Sequence, residues 1–333
     1  MEDNLTFRLF NIGGVLINVS ANNQDALVSF GKWLKPFIVE TGGSISKKQS
    51  GINVNIYNLE DNEEPPINIP GRENCFYSGY EADYYWLNEC LLVDYGDIGR
   101  LIVDRGQGHL TGYINFARFL KKPWSFQDVF GQLFGLLREK GIYLYHAGAV
   151  SINGCGLLLA GRSGSGKSTL SLRLLDKGFN FIADDRCFLR EKGGDIEIIG
   201  FLEPVRMYPY NIARIDTQVH LNEACGQNQG SGDEKVSFDV DNYYPDAVKK
   251  SSMLKAIVFP VWEPAGKSRL EPLAPGAALK ELLPLTMECF YRDTARRQFD
   301  FNCDLANKLQ SVNLYLGHDV EHWHDLLAGF LSG

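Results

Sequence analysis

The segment Gly161–Ser168 reads GRSGSGKS, the full spacing of a phosphate-binding loop, between the apolar run GLLLAG and the helical run KSTLSLRLLDKG. That setting constrains the whole chain, because the loop works only between a buried strand and the N-terminus of a helix. Gly161, Gly164 and Gly166 let the backbone bend so that consecutive amides, those of Ser163 and Ser165 among them, converge on phosphate oxygens. The helix that follows adds its unpaired first-turn N–H groups and its dipole. Lys167 is expected to reach the outer phosphates, the Ser168 hydroxyl to coordinate Mg2+, and Thr169 to help cap the helix. The expected cofactors are ATP and Mg2+.

The next apolar run, FNFIADD, ends in Asp184 and Asp185. Two adjacent acids facing one set of phosphates divide the labour of phosphoryl transfer. One holds the metal, and the other takes the proton from an incoming hydroxyl. Consecutive strand residues point to opposite faces, so the bland alternative is that one aspartate only caps a turn. Strand, loop, helix and strand predict a βαβ-type arrangement with its ligand at the carboxyl ends of the strands.

Around this centre the chain reads as α/β. Before residue 122 the runs FRLFNIGGVLINV, INVNIYNL, ECLLVDYG and GRLIVDRG predict a strand-rich, mostly antiparallel N-terminal unit over residues 1–122. Between them, NLEDNEEPPINIPGREN is acidic, proline-interrupted and expected as loop. WSFQDVFGQLFGLLREKG predicts a helix from Trp124 to Gly141 that opens the catalytic domain at residue 123 and leads on to 333. Further strands are expected in DIEIIGFLEPVRMYP, LKAIVFPVWEP and VNLYLGHD, and helices in GAALKELLPLTMECF, DFNCDLANKLQSV and EHWHDLLAGFL. GQNQGSGDEK reads as a polar loop.

Charge and cysteine usage set limits on partners. With 33 basic and 41 acidic residues the net charge is -8, which opposes binding to nucleic acid or an anionic membrane. An acidic N-terminus with no long apolar segment leads us to expect a cytoplasmic protein. Seven cysteines with no close Cys-x-x-Cys pair read as reduced thiols, Cys155 and Cys187 as apolar fillers. His322 and His324 stand on different faces of their helix and are not expected to share a metal.

His146 before a β run, Asn153–Gly156, the loop Gly161–Ser168, Gly178 closing the helix, and ADDR at Ala183–Arg186 fall in register without a gap. In these items the segment resembles the catalytic domain of the HPr kinase/phosphorylase family, whose P-loop fold is related to phosphoenolpyruvate carboxykinase. The resemblance implies that Asp184 is the catalytic base toward the acceptor hydroxyl, that Asp185 with Ser168 lies at the metal, and that His146 lines the cleft. EIIG at Glu197–Gly200 is similar to a family EIRG element, but Ile199 stands in place of the arginine, which leaves open whether Glu197 or Glu203 supplies an additional metal carboxylate. The family's downstream Pro-Gly-Arg-Asn signature is missing from SFDVDNYYPDAVKKSSMLKAIVFP, which argues against HPr as the acceptor. The sequence is similar in look to the divergent HPr-kinase-like proteins that phosphorylate peptide precursors in biosynthetic clusters. These share the tryptophan-led helix, Gly141, His146-Ala147, the loop and the acid pair, and the likeness implies a serine hydroxyl on a peptide or small protein as acceptor.

Two weaker groups bear on that acceptor. Lys235, after the polar loop, can swing toward the transferred phosphate or stay in solvent. Arg206 and Arg214 with Tyr208 and Tyr210 could wall an extended peptide or belong to a core. The expected function is an ATP- and Mg2+-dependent hydroxyl kinase. A small-molecule kinase of the same fold and a nucleotide-binding regulator without transfer are the alternatives. Family members oligomerise, so assembly stays open.

Overall fold

The computed structural model describes residues 5–40, 51–79, 81–122, 125–208, 235–287 and 289–332. Trp124, Tyr210, Arg214 and most of the GQNQGSGDEK loop lie outside them. The chain divides into two compact units, residues 1–141 and 142–333.

Among the described residues the first unit is an eight-stranded sheet with helices. Its elements are β1 (Thr6–Ile12), β2 (Val15–Ala21), α1 (Gln24–Trp33), β3 (Ile52–Asn58), β4 (Cys75–Ser78), β5 (Asp83–Leu87), β6 (Cys90–Asp94), β7 (Gly99–Asp104), β8 (His109–Ile114), α2 (Phe116–Phe119) and α3 (Ser125–Glu139). The strand order is β1-β2-β3-β8-β7-β6-β5-β4. Among the described residues only the β2–β3 and β3–β8 pairs are parallel, so the sheet is mostly antiparallel as its sequence indicates. Burial alternates along β3 and β8, where Val54, Ile56, Leu110 and Ile114 are buried, while β2 is buried on both faces, with Asn18 and Ser20 enclosed beside Ile17 and Val19. α1 starts where the Asn23 side chain accepts the N–H groups of Asp25 and Ala26 at 2.8 and 3.2 Å.

Helix α3 belongs with this sheet rather than with the domain that follows. Phe130 packs against Phe30 and Trp33, with ring centroids 5.2 Å apart in both pairs. Asp128 accepts hydrogen bonds from the hydroxyls of Tyr84, at 2.7 Å, and Tyr95. The unit boundary therefore falls after Gly141, whose positive φ of 75° ends the helix, and not at residue 122.

The second unit holds β9 (Ile142–Tyr145), β10 (Ala147–Ile152), β11 (Cys155–Ala160), α4 (Lys167–Leu175), β12 (Asn180–Ala183), β13 (Cys187–Lys192), β14 (Asp195–Gly200), β15 (Val205–Met207), β16 (Val236–Phe238), β17 (Ser251–Trp262), β18 (Arg269–Pro272), α5 (Pro275–Leu282), α6 (Arg292–Lys308), β19 (Gln310–Leu316) and α7 (Trp323–Ser332). The main sheet runs β12-β10-β11-β17-β14-β13-β9, with β19 joined to β17 and β18 to β19. GLLLAG is continuously apolar because β11 is covered on both faces. Leu158 points into a core closed by Leu282 and Leu305 of α5 and α6. Leu157 and Leu159 point the other way, toward Leu170 and Leu174 of α4 and Trp323 and Leu327 of α7. Each such leucine contributes about 1.5–3 kcal/mol of burial.

The sheet departs from the expected βαβ unit in one respect. β11 and β12, which flank α4, are not neighbours, since β10 lies between them antiparallel to both. The cause is local. Asn153 and Gly154 take positive φ of 51° and 79° and close a two-residue hairpin between β10 and β11, so the crossover through α4 lands one strand further out.

Candidate active site

Three glycines shape the loop after β11. Gly161, Gly164 and Gly166 have φ of 156°, 84° and 100°. A Cβ on Gly166 would stand 2.9 Å from Leu316 Cδ1, and one on Gly161 would stand 2.8 Å from Ser165 Oγ. Gly166 is also the N-cap of α4, in left-handed conformation and without a capping side chain, so Thr169 is not the cap. The first-turn amides are left to a ligand.

Lys167 is buried and folds back along the loop, its Nζ donating to the carbonyls of Gly161 at 2.7 Å and Arg162 at 3.1 Å. Burial lowers its pKa, while the charges of Asp185 and Asp184 oppose that shift. Both carboxylates therefore lie within electrostatic reach of the ammonium. The Ser168 hydroxyl donates to Asp184 Oδ2 at 3.0 Å. The other oxygen, Asp184 Oδ1, is buried with no hydrogen-bond partner among the described residues, and so is Ser165 Oγ. Burial pushes the Asp184 carboxyl up to about 6; the Ser168 bond and Lys167 pull it down, and the charges of Asp185 and Glu203 add to the rise.

An orphaned carboxylate oxygen beside a loop serine is costly unless something polar or charged meets it. Hard oxygen donors of this kind, next to free helix-terminal amides, fit a magnesium-bound phosphate chain. Ser168 and Asp184, 3.0 Å apart, are side chains that could hold such a cation, and the Asp185 charge is felt at Asp184.

Two further glycines fix where the acid pair stands. β10 approaches the end of β12 so closely that a Cβ on Gly148 would lie 2.9 Å from the Asp184 carbonyl oxygen. A Cβ on Gly200, at the end of β14, would lie 2.0 Å from the carbonyl of Ile182. Asp185 is half exposed, and His146 Nδ1 lies 3.3 Å from its Oδ1. His146 occupies the break between β9 and β10, where its backbone N–H donates to Leu285 O at 2.8 Å. The structure thus gathers Lys167, Ser168, Asp184, Asp185 and His146 at one end of the sheet, with Ser163, Ser165 and Thr169 in the loop and first helical turn.

The two downstream glutamates separate. Glu197 is buried between Arg190 and Lys192, accepting from each at 2.7 Å; burial alone would raise its pKa, and the two cations hold it below the ordinary value. Glu203 is bonded by Arg186, through Nε at 2.7 Å and a second, shorter contact, and its charge is felt at Asp184. Arg186 also lies over the Phe201 ring, 5.0 Å from its centroid. Sequence reading passed over Arg186 as a functional residue, although it is the last letter of ADDR. Lys235 sits 5.4 Å from the Tyr208 ring centroid, and Arg206 is exposed on β15. The short β15–β16 ribbon that carries them packs Val205, Met207, Val236 and Phe238 against Leu172 and Leu175 of α4. Cys187 is buried and its thiol pushed far up by burial, as expected of an apolar filler. Among the described residues no group of three His, Cys, Asp or Glu side chains forms a separate metal cluster, and no helix is long and apolar enough to cross a membrane.

Residues 141–206, which hold this whole constellation, match the family model for the HPr Serine kinase C-terminal domain. The chain is 45% identical over 96 residues to the HPr kinase/phosphorylase of Chlorobium limicola, covering 29% of this chain and 25% of that protein. It is 41% identical over 86 residues to the HPr kinase/phosphorylase of Chlorobium luteolum, covering 26% and 24%. The match thus spans about a quarter of the length of these relatives. Among solved structures, the HPr(Ser) kinase/phosphatase of Coxiella burnetii aligns over 57% of this chain and 99% of its own, with 16% identity and a TM-score of 0.32.

Proposed function

We propose that the protein is a kinase that transfers the terminal phosphoryl group of ATP to a hydroxyl, a serine on a peptide or small protein. The observation that carries this reading is Asp184. It is a buried carboxylate tied to the loop serine, with one open oxygen and a pKa moved to about 6, close to where a general base works best. A loop that only binds nucleotide does not need a second acid, yet Asp185 stands beside it, oriented by His146.

In the proposed reaction the acceptor oxygen forms a bond to the terminal phosphorus as the bond to the ADP leaving oxygen breaks. The hydroxyl proton passes to Asp184. Lys167 and the loop amides hold the phosphates in line, which supplies most of what this chemistry requires. Bound magnesium would neutralise phosphate charge, held by Ser168 and Asp185. His146 keeps Asp185 in place, and Arg186 fixes Glu203 behind the pair. The names of the curated relatives support kinase chemistry. The missing downstream signature supports an acceptor other than HPr.

The Ser168–Asp184 bond favours a second assignment of roles, in which Asp184 takes the cation and Asp185 takes the proton. Calorimetry and transfer assays on Asp184→Asn and Asp185→Asn distinguish them. Under the first assignment, Asp184→Asn still binds magnesium-ATP and loses transfer, while Asp185→Asn loses magnesium-dependent affinity. The opposite pattern supports the exchange of roles, and full transfer by both variants removes the acid pair from the mechanism.

A further inference from the structure

The charge of this chain is not spread evenly. Between residues 51 and 100 stand ten acids, Glu60, Asp61, Glu63, Glu64, Glu73, Glu81, Asp83, Glu89, Asp94 and Asp97, against two bases, Arg72 and Arg100. That segment alone accounts for the chain's net charge of -8, because acids and bases balance elsewhere. Part of this charge is neutralised locally: Arg100 pairs with Asp94 and Glu64, Arg118 with Asp61 and Asp97, and Lys122 with Glu81. Glu73, Asp83 and Glu89 form no ion pair among the described residues, and all three lie around β4 and β5.

The same place carries an exposed aromatic surface. Phe76 of β4 and Trp86 of β5 stack with centroids 4.9 Å apart and planes 10° from parallel, yet remain 40% and 39% exposed. Tyr77 beside them is 41% exposed and meets the edge of Tyr84. β4 ends the strand order, pairing only with β5 among the described residues, and its register shifts between Cys75 and Tyr77. A sheet end with open backbone groups, stacked rings and carboxylates that no cation neutralises among the described residues offers three complementary contacts to one kind of molecule.

We infer that the β4–β5 end of the first unit docks an extended, basic peptide segment whose lysine or arginine residues alternate with apolar ones. Backbone bonds to β4 would hold the strand, ring faces would take the cations and alkyl stems, and the acidic border would steer the approach. Charge excludes the other occupants: a second copy would bring the same acids face to face, and nucleic acid would be repelled. The inference deepens the kinase reading, because it states which peptides would carry the acceptor serine.

The test uses the full chain without nucleotide. A fluorescent peptide of alternating lysine and valine with one central serine is titrated by anisotropy, beside a control with glutamate replacing lysine. The lysine peptide is expected to bind and the glutamate peptide not, with affinity falling as salt rises. Trp86→Ala should weaken binding at least about tenfold. The double charge reversal Glu73→Lys, Glu89→Lys at exposed positions should weaken it and flatten the salt dependence; it also guards against a folding defect in the first variant. No binding of the lysine peptide, or equal binding by both variants, overturns the inference. Adding magnesium-ATP then separates the two readings. Binding without any phosphoserine leaves the surface and removes the peptide-kinase function. Phosphoserine formed equally on both peptides does the reverse.

Discussion

Replacing Asp184 by asparagine should make the protein more stable at neutral pH while destroying its function, and the size of the effect follows from the carboxyl's environment. Burial moves its pKa from 3.8 to about 6. An acid whose folded pKa is raised holds its proton more tightly when folded. Its contribution to stability is therefore full below about pH 4 and is lost as pH rises to 6 and beyond. A shift of about two pH units corresponds to roughly 3 kcal/mol of destabilisation above pH 7. Asparagine has nearly the same shape and no charge to bury, so Asp184→Asn removes most of that cost. For a unit of this size each kcal/mol moves Tm by about 2–4 °C, so the variant should melt several degrees above the wild type at pH 8. At pH 4 the two curves should converge. The assay is thermal unfolding across this range, with chelator present so that no cation lowers the wild-type pKa. Equal melting temperatures at pH 8, or a less stable variant, would refute the claim that Asp184 is held ionised against its surroundings.

Other outcomes follow from the same contacts. Lys167→Ala should lower transfer at least about a hundredfold, measured by phosphate transfer at saturating peptide, because its ammonium is the buried cation folded along the loop. Glu203→Gln removes a negative charge felt at Asp184, so the midpoint of the pH–rate profile should move to lower pH. Glu197→Gln should instead cost about 1–3 kcal/mol in thermal unfolding and leave that midpoint unchanged, because its partners are Arg190 and Lys192. Gly200→Ala forces a methyl group onto the Ile182 carbonyl and should cost about 1–3 kcal/mol, with transfer reduced through displacement of the acid pair.

The phosphate loop was legible in the sequence because each part of it is local: the apolar run before it, the glycines and the helix after it. The same holds for β11, α4, β12 and β17, whose patterns need no partner to be read. The connections were less legible. Neither the Ser168–Asp184 bond nor the His146–Asp185 contact follows from spacing, since both depend on β10 lying beside β12. The Asn153-Gly154 hairpin that puts it there was in plain view. Glu197 and Glu203 could not be sorted by sequence, because the β13–β14 register sets Arg190 against Glu197, while Glu203 meets Arg186 beyond the ends of those strands. In the first unit, β4 and β5 are hard to read because CFYS and DYYWL are short and leave Phe76, Tyr77 and Trp86 exposed, and β8 because Gly112 interrupts the apolar pattern of HLTGYI. Helix α1 is hard to read because Gly31 stands on its buried side while the apolar Val28 faces solvent. α3 is legible as a helix, but its place in the first unit is not, because Phe130 and Asp128 find their partners far back in the chain.

The most direct measurement of the central claim is intact-mass spectrometry of peptides incubated with the full chain and magnesium-ATP. The account predicts a single added phosphate on a serine of a basic peptide, present with the wild type and absent with Asp184→Asn. ATP consumed while every peptide and hydroxyl-bearing metabolite stays unmodified would contradict it and leave a nucleotide-hydrolysing regulator.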